Sequence, residues 1–157
     1  MSEISGNTTL HDAARIYDLW DRYLREGDMP GLATLYAPDA TLQSPLVPTF
    51  YGRDITIVRG RSEICRFLAE TVERRPDDLV QWQRDGFQWN GQTLFWEYPA
   101  YTAHGFQVDL AECMDLHGGM IQHHRIYWAW FAVEQIKRST LRKAEEGRLD
   151  AFPLKQA

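Results

Sequence analysis

Cysteine, long apolar runs and an excess of positive charge are all scarce in this chain. Its only cysteines are Cys65 and Cys113. Two are too few for a disulfide framework and lack the spacing of a thiolate metal site, so they read as free thiols in a reducing cytoplasm. No stretch is long and apolar enough to cross a bilayer, and the sparse apolar residues of the first segment, set in Ser-Gly-Asn-Thr-Thr, do not form a secretory leader. A net charge of -5 with acids and bases interspersed offers nucleic acid no basic stripe. Nucleophile elbow, phosphate loop and dinucleotide fingerprint are all missing, so no cofactor is expected and acid–base chemistry without one is what remains.

Aromatic residues are abundant, with six Trp and seven Tyr in 157 residues. A chain of this length builds one domain with a sizeable core. It divides into a domain over 8–132 and a C-terminal helix and tail over 133–157. So many rings exceed a minimal core and should line a ligand pocket or an interface.

Residues 8–26 place Leu10, Ala13, Ala14, Tyr17, Trp20 and Leu24 at helical spacing, and Gly27 ends the run. At roughly 100° per residue Asp21 is the acid nearest the buried face, either turned to a pocket or paired with Arg25 at the boundary. Pro30 starts a short second helix, a strand follows over 40–44, and 45–60 reads as an irregular loop with a brief strand at 55–58. Ser62 caps a third helix that buries Ile64, Phe67, Leu68, Thr71 and Val72 and stops at Pro76. Residues 79–89 read as a strand turning at Asn90-Gly91, with a bulge at Gly86 that leaves open whether Arg84 reaches Glu97 or faces away.

The most informative stretch is 95–130, three strands joined at His104-Gly105 and at His117-Gly118-Gly119. If the first turn has two residues and the second centres on Gly118, one face collects Phe95, Glu97, Tyr101, Leu110, Glu112, Met114, His124 and Trp128. Glu97 then lies opposite Glu112, and Glu112 opposite His124. Charged groups on a greasy face are costly unless paired, so the row suggests chemistry rather than a satisfied core histidine. A carboxylate that fixes the imidazole tautomer leaves the other nitrogen to move a proton, and two close glutamates keep one of them protonated. No metal site is expected, because His123 and His124 point to opposite faces. The outer face carries Trp96, Tyr98 and Tyr127 among polar residues, which predicts a homodimer surface.

Several segments resemble the SnoaL-like branch of the nuclear transport factor two superfamily over roughly residues 10–132: Gly27-Asp28, Leu32-Ala33-Thr34-Leu35, Tyr36-Ala37-Pro38-Asp39-Ala40-Thr41, Ser44-Pro45, Gly60-Arg61-Ser62-Glu63-Ile64 and the strand over 123–130. The resemblance implies an α+β cone, a curved antiparallel sheet wrapped around the N-terminal helices with a pocket beneath helix 1. Such proteins include ketosteroid isomerase, scytalone dehydratase, polyketide cyclases, an epoxide hydrolase and non-catalytic binders. Relative to ketosteroid isomerase, the base would fall at Ser44, the oxyanion tyrosine at Trp20 and the oxyanion acid at Glu112. Only the last keeps a suitable group, so steroid isomerisation by that route is not expected.

Two functions follow as expectations. One is an enzyme acting on a hydrophobic, ring-bearing small molecule as a lyase, isomerase or cyclase. In it His124, oriented by Glu112, removes a proton, and Asp21 or Glu97 protonates the leaving group or oxyanion. Tyr17, Trp20, Phe95, Tyr101, Leu110, Met114 and Trp128 would hold the substrate. The other is a non-catalytic module that binds a small molecule or a protein partner.

Overall fold

The computed structural model describes residues 7–78, 83–100, 102 and 104–155. Among these the order is α1 (Leu10–Glu26), α2 (Met29–Ala33), β1 (Tyr36–Gln43), α3 (Leu46–Tyr51), β2 (Val58–Arg59), α4 (Arg61–Glu73), β3 (Gln88–Trp89), β4 (Thr93–Tyr98), β5 (Leu110–His117), β6 (Met120–Trp128) and α5 (Trp130–Glu145).

Helix α1 starts where Thr9 and Asp12 cap each other, the Asp12 N–H donating to Thr9 Oγ1 at 3.2 Å and the Thr9 N–H to Asp12 Oδ2 at 2.8 Å. It stops at Gly27, whose φ of 70° suits a residue without Cβ. Its buried stripe is Ala13, Ile16, Trp20 and Leu24. Trp20 packs edge-on against Trp96 of β4 and His124 of β6, which sets α1 across the inner face of the sheet. Leu46, Val47 and Phe50 bury one side of α3, giving regular structure to a segment that its prolines and glycines had marked as irregular.

The sheet runs β2-β1-β6-β5-β4-β3. Its pairs are antiparallel except for β1 and β6, because the meander returns its last strand beside the first in the same direction, so the sheet is mixed. Gly118 and Gly119, at φ 56° and 74°, make a two-residue turn of the kind that matches strand twist. The ladder starts at His117 opposite Met120 and carries a bulge at Gln122, after which Asp115 opposes His123.

Two register corrections result. Glu112 opposes Ile126 and His124 opposes Met114, a displacement of two residues from the expected pairing that keeps Glu112 and His124 on one face. Between β4 and β5 the displacement is one residue, with Trp96 opposite Glu112 and Glu97 opposite Ala111. An odd slip turns a whole strand over. Leu94, Trp96 and Tyr98 therefore face the core, while Glu97 is exposed and Phe95 lies on its side of the sheet. The physical reason is the turn: the Thr102 N–H donates to the Phe106 carbonyl at 2.9 Å and the Val108 N–H to the Ala100 carbonyl at 3.1 Å, pairs in step with Tyr98 opposite Leu110, so three residues rather than two separate the arms at the turn and the register moves by one.

Beyond β6, α5 crosses to the end of α4, where Lys143 Nζ donates to the carbonyls of Glu73 and Arg75 at 2.7 and 2.6 Å. The tail returns to stack Phe152 on Phe50, ring centres 5.2 Å apart, with the Arg74 guanidinium over both rings. Of the strand expected over 79–89, residues 79–82 lie outside the described residues and only Gln88–Trp89 is a strand. Arg84 turns to α1 rather than to Glu97, lying 3.7 Å over the Tyr17 ring.

Candidate functional site

Four side chains from four elements, α1, β1, β5 and β6, form one hydrogen-bonded line behind the inner face. Trp20 Nε1 donates to the Tyr36 hydroxyl at 2.8 Å, that hydroxyl meets His124 Nδ1 at 2.9 Å, and His124 Nε2 meets Glu112 Oε2 at 2.6 Å. An indole N–H can only donate, so the Tyr36 oxygen accepts from it and its own proton goes to Nδ1. Nε2 then carries the imidazole proton and donates to Glu112. In this direction all four polar groups are satisfied, as groups with at most 3 % exposure must be. Burial pushes the Tyr36 hydroxyl well above its ordinary pKa, so the bridge keeps its proton.

Glu112 ends that line at the wall of a partly enclosed cavity of ≈ 140 Å³. Trp20, Leu24, Val72 and Leu110 supply its apolar wall, and Asp21, Arg25, Arg75, Tyr98 and Glu112 its polar one. Asp21 is heavily engaged, with Arg25 Nε at 2.6 Å, the Tyr98 hydroxyl donating at 2.9 Å and Arg84 Nε at 3.7 Å. Burial, then the charges of Glu112 and Asp21, raise the Tyr98 pKa, so the hydroxyl stays a donor. Burial lowers the Arg75 pKa, opposed by Tyr98, Glu112 and Asp21 and reinforced by Arg25, so its guanidinium lies in the field of the cavity's own polar groups.

Of the residues marked from sequence, Trp20, Asp21, Leu110 and Glu112 meet at the cavity, with His124 directly behind Glu112. His124 is fully enclosed and does not line the cavity. Glu97 and Phe95 face away from it, for the register reason given above. Met114 is core beside His124, Trp128 is half-buried opposite Leu110, and Tyr17 packs on Phe87 and Trp96. Tyr101 lies outside the described residues. The pairing of Asp21 with Arg25 and its place in the cavity, read as alternatives, hold together.

Tyr36, Tyr98, Arg75, Leu24 and Val72 were not marked as site residues from sequence; Leu24 and Val72 were placed on buried helix faces and Tyr98 on the outer face of the sheet. Tyr98 was within reach of alternation, since the correct register puts it inside with Trp96. Arg75 had no local signal, because its place depends on how the end of α4 approaches the sheet. Ser44 lies at a different hollow, with Gln43, Pro45, Thr56, Arg125 and Tyr127. Among the described residues no group of three or more His, Cys, Asp or Glu side chains is placed to hold a metal, and no helix is long and apolar enough to cross a membrane.

A family model, the SnoaL-like domain, matches residues 13–124. No curated protein matches. Among solved structures, a steroid delta-isomerase from Pseudomonas aeruginosa aligns over 89% of this chain and 96% of its own at 14% identity and a TM-score of 0.64. A SnoaL-like protein of unknown function from Burkholderia thailandensis aligns over 78% and 98% at 15% identity and a TM-score of 0.62. An NTF2-like protein from Anabaena variabilis aligns over 82% and 93% at 20% identity and a TM-score of 0.58. At these identities the likeness is one of fold.

Proposed function

This chain belongs to the SnoaL-like family, and on that footing we propose that it is a cofactor-independent acid–base enzyme for a hydrophobic, ring-bearing small molecule, with Glu112 as the group that moves the proton. A fold hosts many reactions, so the reading rests on the site. The observation that carries it is a carboxylate at a cavity wall whose rear oxygen is held at 2.6 Å by an enclosed imidazole. Nε2–H on one oxygen fixes the carboxylate and leaves the other to take a proton from a C–H or O–H of the substrate. A proton abstraction of this kind opens one route each to lyase, isomerase and cyclase reactions.

His124, marked from sequence as the base, takes the role of positioning residue here, because both its nitrogens are already engaged. Asp21 orders Tyr98, Arg25 and Arg84 rather than moving a proton, and Glu97 leaves the scheme. The experiment is a thermal-shift screen of small aromatic and polyketide-like compounds, followed by turnover assays on the hits. Glu112→Gln should then lower kcat by about 10²- to 10⁴-fold with the fold intact.

A second reading, a binding module, is favoured by the saturation of Asp21 and His124. Compounds that stabilise the protein while none is turned over would select it. A homodimer through the outer sheet face remains a proposal resting on Tyr127, 53% exposed, since Trp96 and Tyr98 are buried.

A further inference from the structure

The cavity is small, and the hydrogen-bonding capacity it leaves open is of one kind. A cavity of about 150 Å³ lined by aliphatic and aromatic side chains holds one benzene ring; this one measures ≈ 140 Å³. Trp20, Leu24, Val72 and Leu110 give it an apolar side. Its arginines have their counter-charges within the protein: Arg25 and Arg84 converge on Asp21, and Arg75 lies in the field of Glu112 and Asp21. An anion entering here would find no unanswered cation and would meet the Glu112 carboxylate.

Glu112 is 3 % exposed, and only its Oε2 is held, by His124 Nε2 at 2.6 Å. Among the described residues no donor reaches Oε1, and Oε1 is not one of the sealed polar atoms left without a partner, so it opens to the cavity. Tyr98 does not serve it: its hydroxyl donates to Asp21 Oδ1 at 2.9 Å, which leaves the Tyr98 oxygen as a second acceptor. Asp21 has both oxygens engaged, Oδ1 by Tyr98 and Oδ2 by Arg25. A carboxylate oxygen so enclosed is costly without a donor, and here a ligand can bring one.

We infer that the cavity takes a neutral single-ring phenol, its ring against Trp20 and Leu110 and its O–H donating to Glu112 Oε1. This rests on the acid–base reading above for what Glu112 does in turnover, but not for the binding itself. It narrows that reading in two ways: the bond presented to the carboxylate is O–H rather than C–H, and the ring is one rather than several. An ether or carbonyl oxygen in the same place would set lone pairs against those of the carboxylate, and an acidic group would set charge against charge.

The probes are phenol, its methyl ether anisole, benzoate and the two-ring 2-naphthol, each titrated at neutral pH into the ¹⁵N-labelled full chain and followed by NMR. Phenol should shift the Trp20 indole and Leu110 amide signals and bind about tenfold or more tightly than anisole or benzoate, as one hydrogen bond to a charged acceptor implies. The second ring of 2-naphthol should weaken binding. In Glu112→Gln the His124 N–H keeps the amide oxygen and turns the amide N–H to the cavity, so the preference for phenol over anisole should disappear. Val72→Phe fills the apolar side and should abolish phenol binding while the dispersion of the spectrum shows an intact fold, which keeps the test open if the glutamine variant does not fold. Anisole, benzoate or 2-naphthol binding as tightly as phenol, no binding of phenol, a Glu112→Gln chain that still prefers phenol, or a Val72→Phe chain that binds it unchanged would overturn the inference. Turnover is read separately. Phenols that bind as expected while none reacts retain the site and remove the catalytic reading; a compound without O–H that is turned over at a rate dependent on Glu112 retains the catalytic reading and removes this inference.

Discussion

Glu112 and His124 meet at 2.6 Å although neither faces the other across its strand pair: Glu112 opposes Ile126, and His124 opposes Met114. They are diagonal neighbours on one face, close enough for long side chains to bridge. The diagonal lets the imidazole reach back to Tyr36 with one nitrogen while the other holds the carboxylate forward.

Tyr36→Phe should expose what that line contributes. It removes the hydroxyl between Trp20 Nε1 and His124 Nδ1 and leaves two enclosed polar groups without their partner. A stranded buried group costs about 1–3 kcal/mol, so the urea midpoint should fall clearly while the denaturant slope stays constant. In the unmodified protein, ¹⁵N spectra should show the proton on Nε2 of His124 and none on Nδ1. The opposite tautomer would reverse the direction of the line.

Lys143→Met should loosen the end of α4. The ammonium serves the carbonyls of Glu73 and Arg75 and lies 3.3 Å from Asp77. Loss of a buried charged donor to two carbonyls should lower stability by about 1–3 kcal/mol, read as a fall in the urea midpoint. An unchanged midpoint would mean that the ammonium does not hold the end of α4.

Acid should destabilise the protein in two stages. Burial lowers the His123 pKa, so the unfolded chain takes its proton first and stability falls as the pH drops below about 6.5. Arg125 holds the Asp115 carboxyl below its ordinary value, so that pair contributes above about 3.9 and is lost as the pH falls through the folded value. His123→Gln should flatten the first stage and leave the second, measured as thermal midpoints from pH 7.5 to 3.

Light scattering at micromolar concentration checks the proposed homodimer, with Tyr127→Lys as the dissociating variant. A monomeric mass for the unmodified chain would remove the proposal.

Much of this site was within reach of the sequence, and what failed turned on one turn length and on contacts between distant segments. Thr9, Asp12 and Gly27 mark the limits of α1 because caps are local chemistry. Glu112 and His124 were put on a common face because the register error between β5 and β6 was even. Glu97 was lost because the error between β4 and β5 was odd: three residues rather than two lie between the paired Thr102 and Phe106 at the turn. Tyr36 and Arg75 depend on the parallel pairing of β1 with β6 and on the approach of α4, contacts that no periodicity encodes.

The bulge at Gln122 gives β6 an unequal tolerance of changes in length. Gln122 is the surplus residue between Ile121, paired with Leu116, and His123, paired with Asp115. A lineage that dropped it would convert the strand to a regular ladder and still present Ile121 and His124 to the core. A deletion two positions later, at His124, would remove the imidazole itself and turn either the preceding or the following half of the strand inside out. Alignments of related chains should therefore show gaps at Gln122 and none between His124 and Trp128.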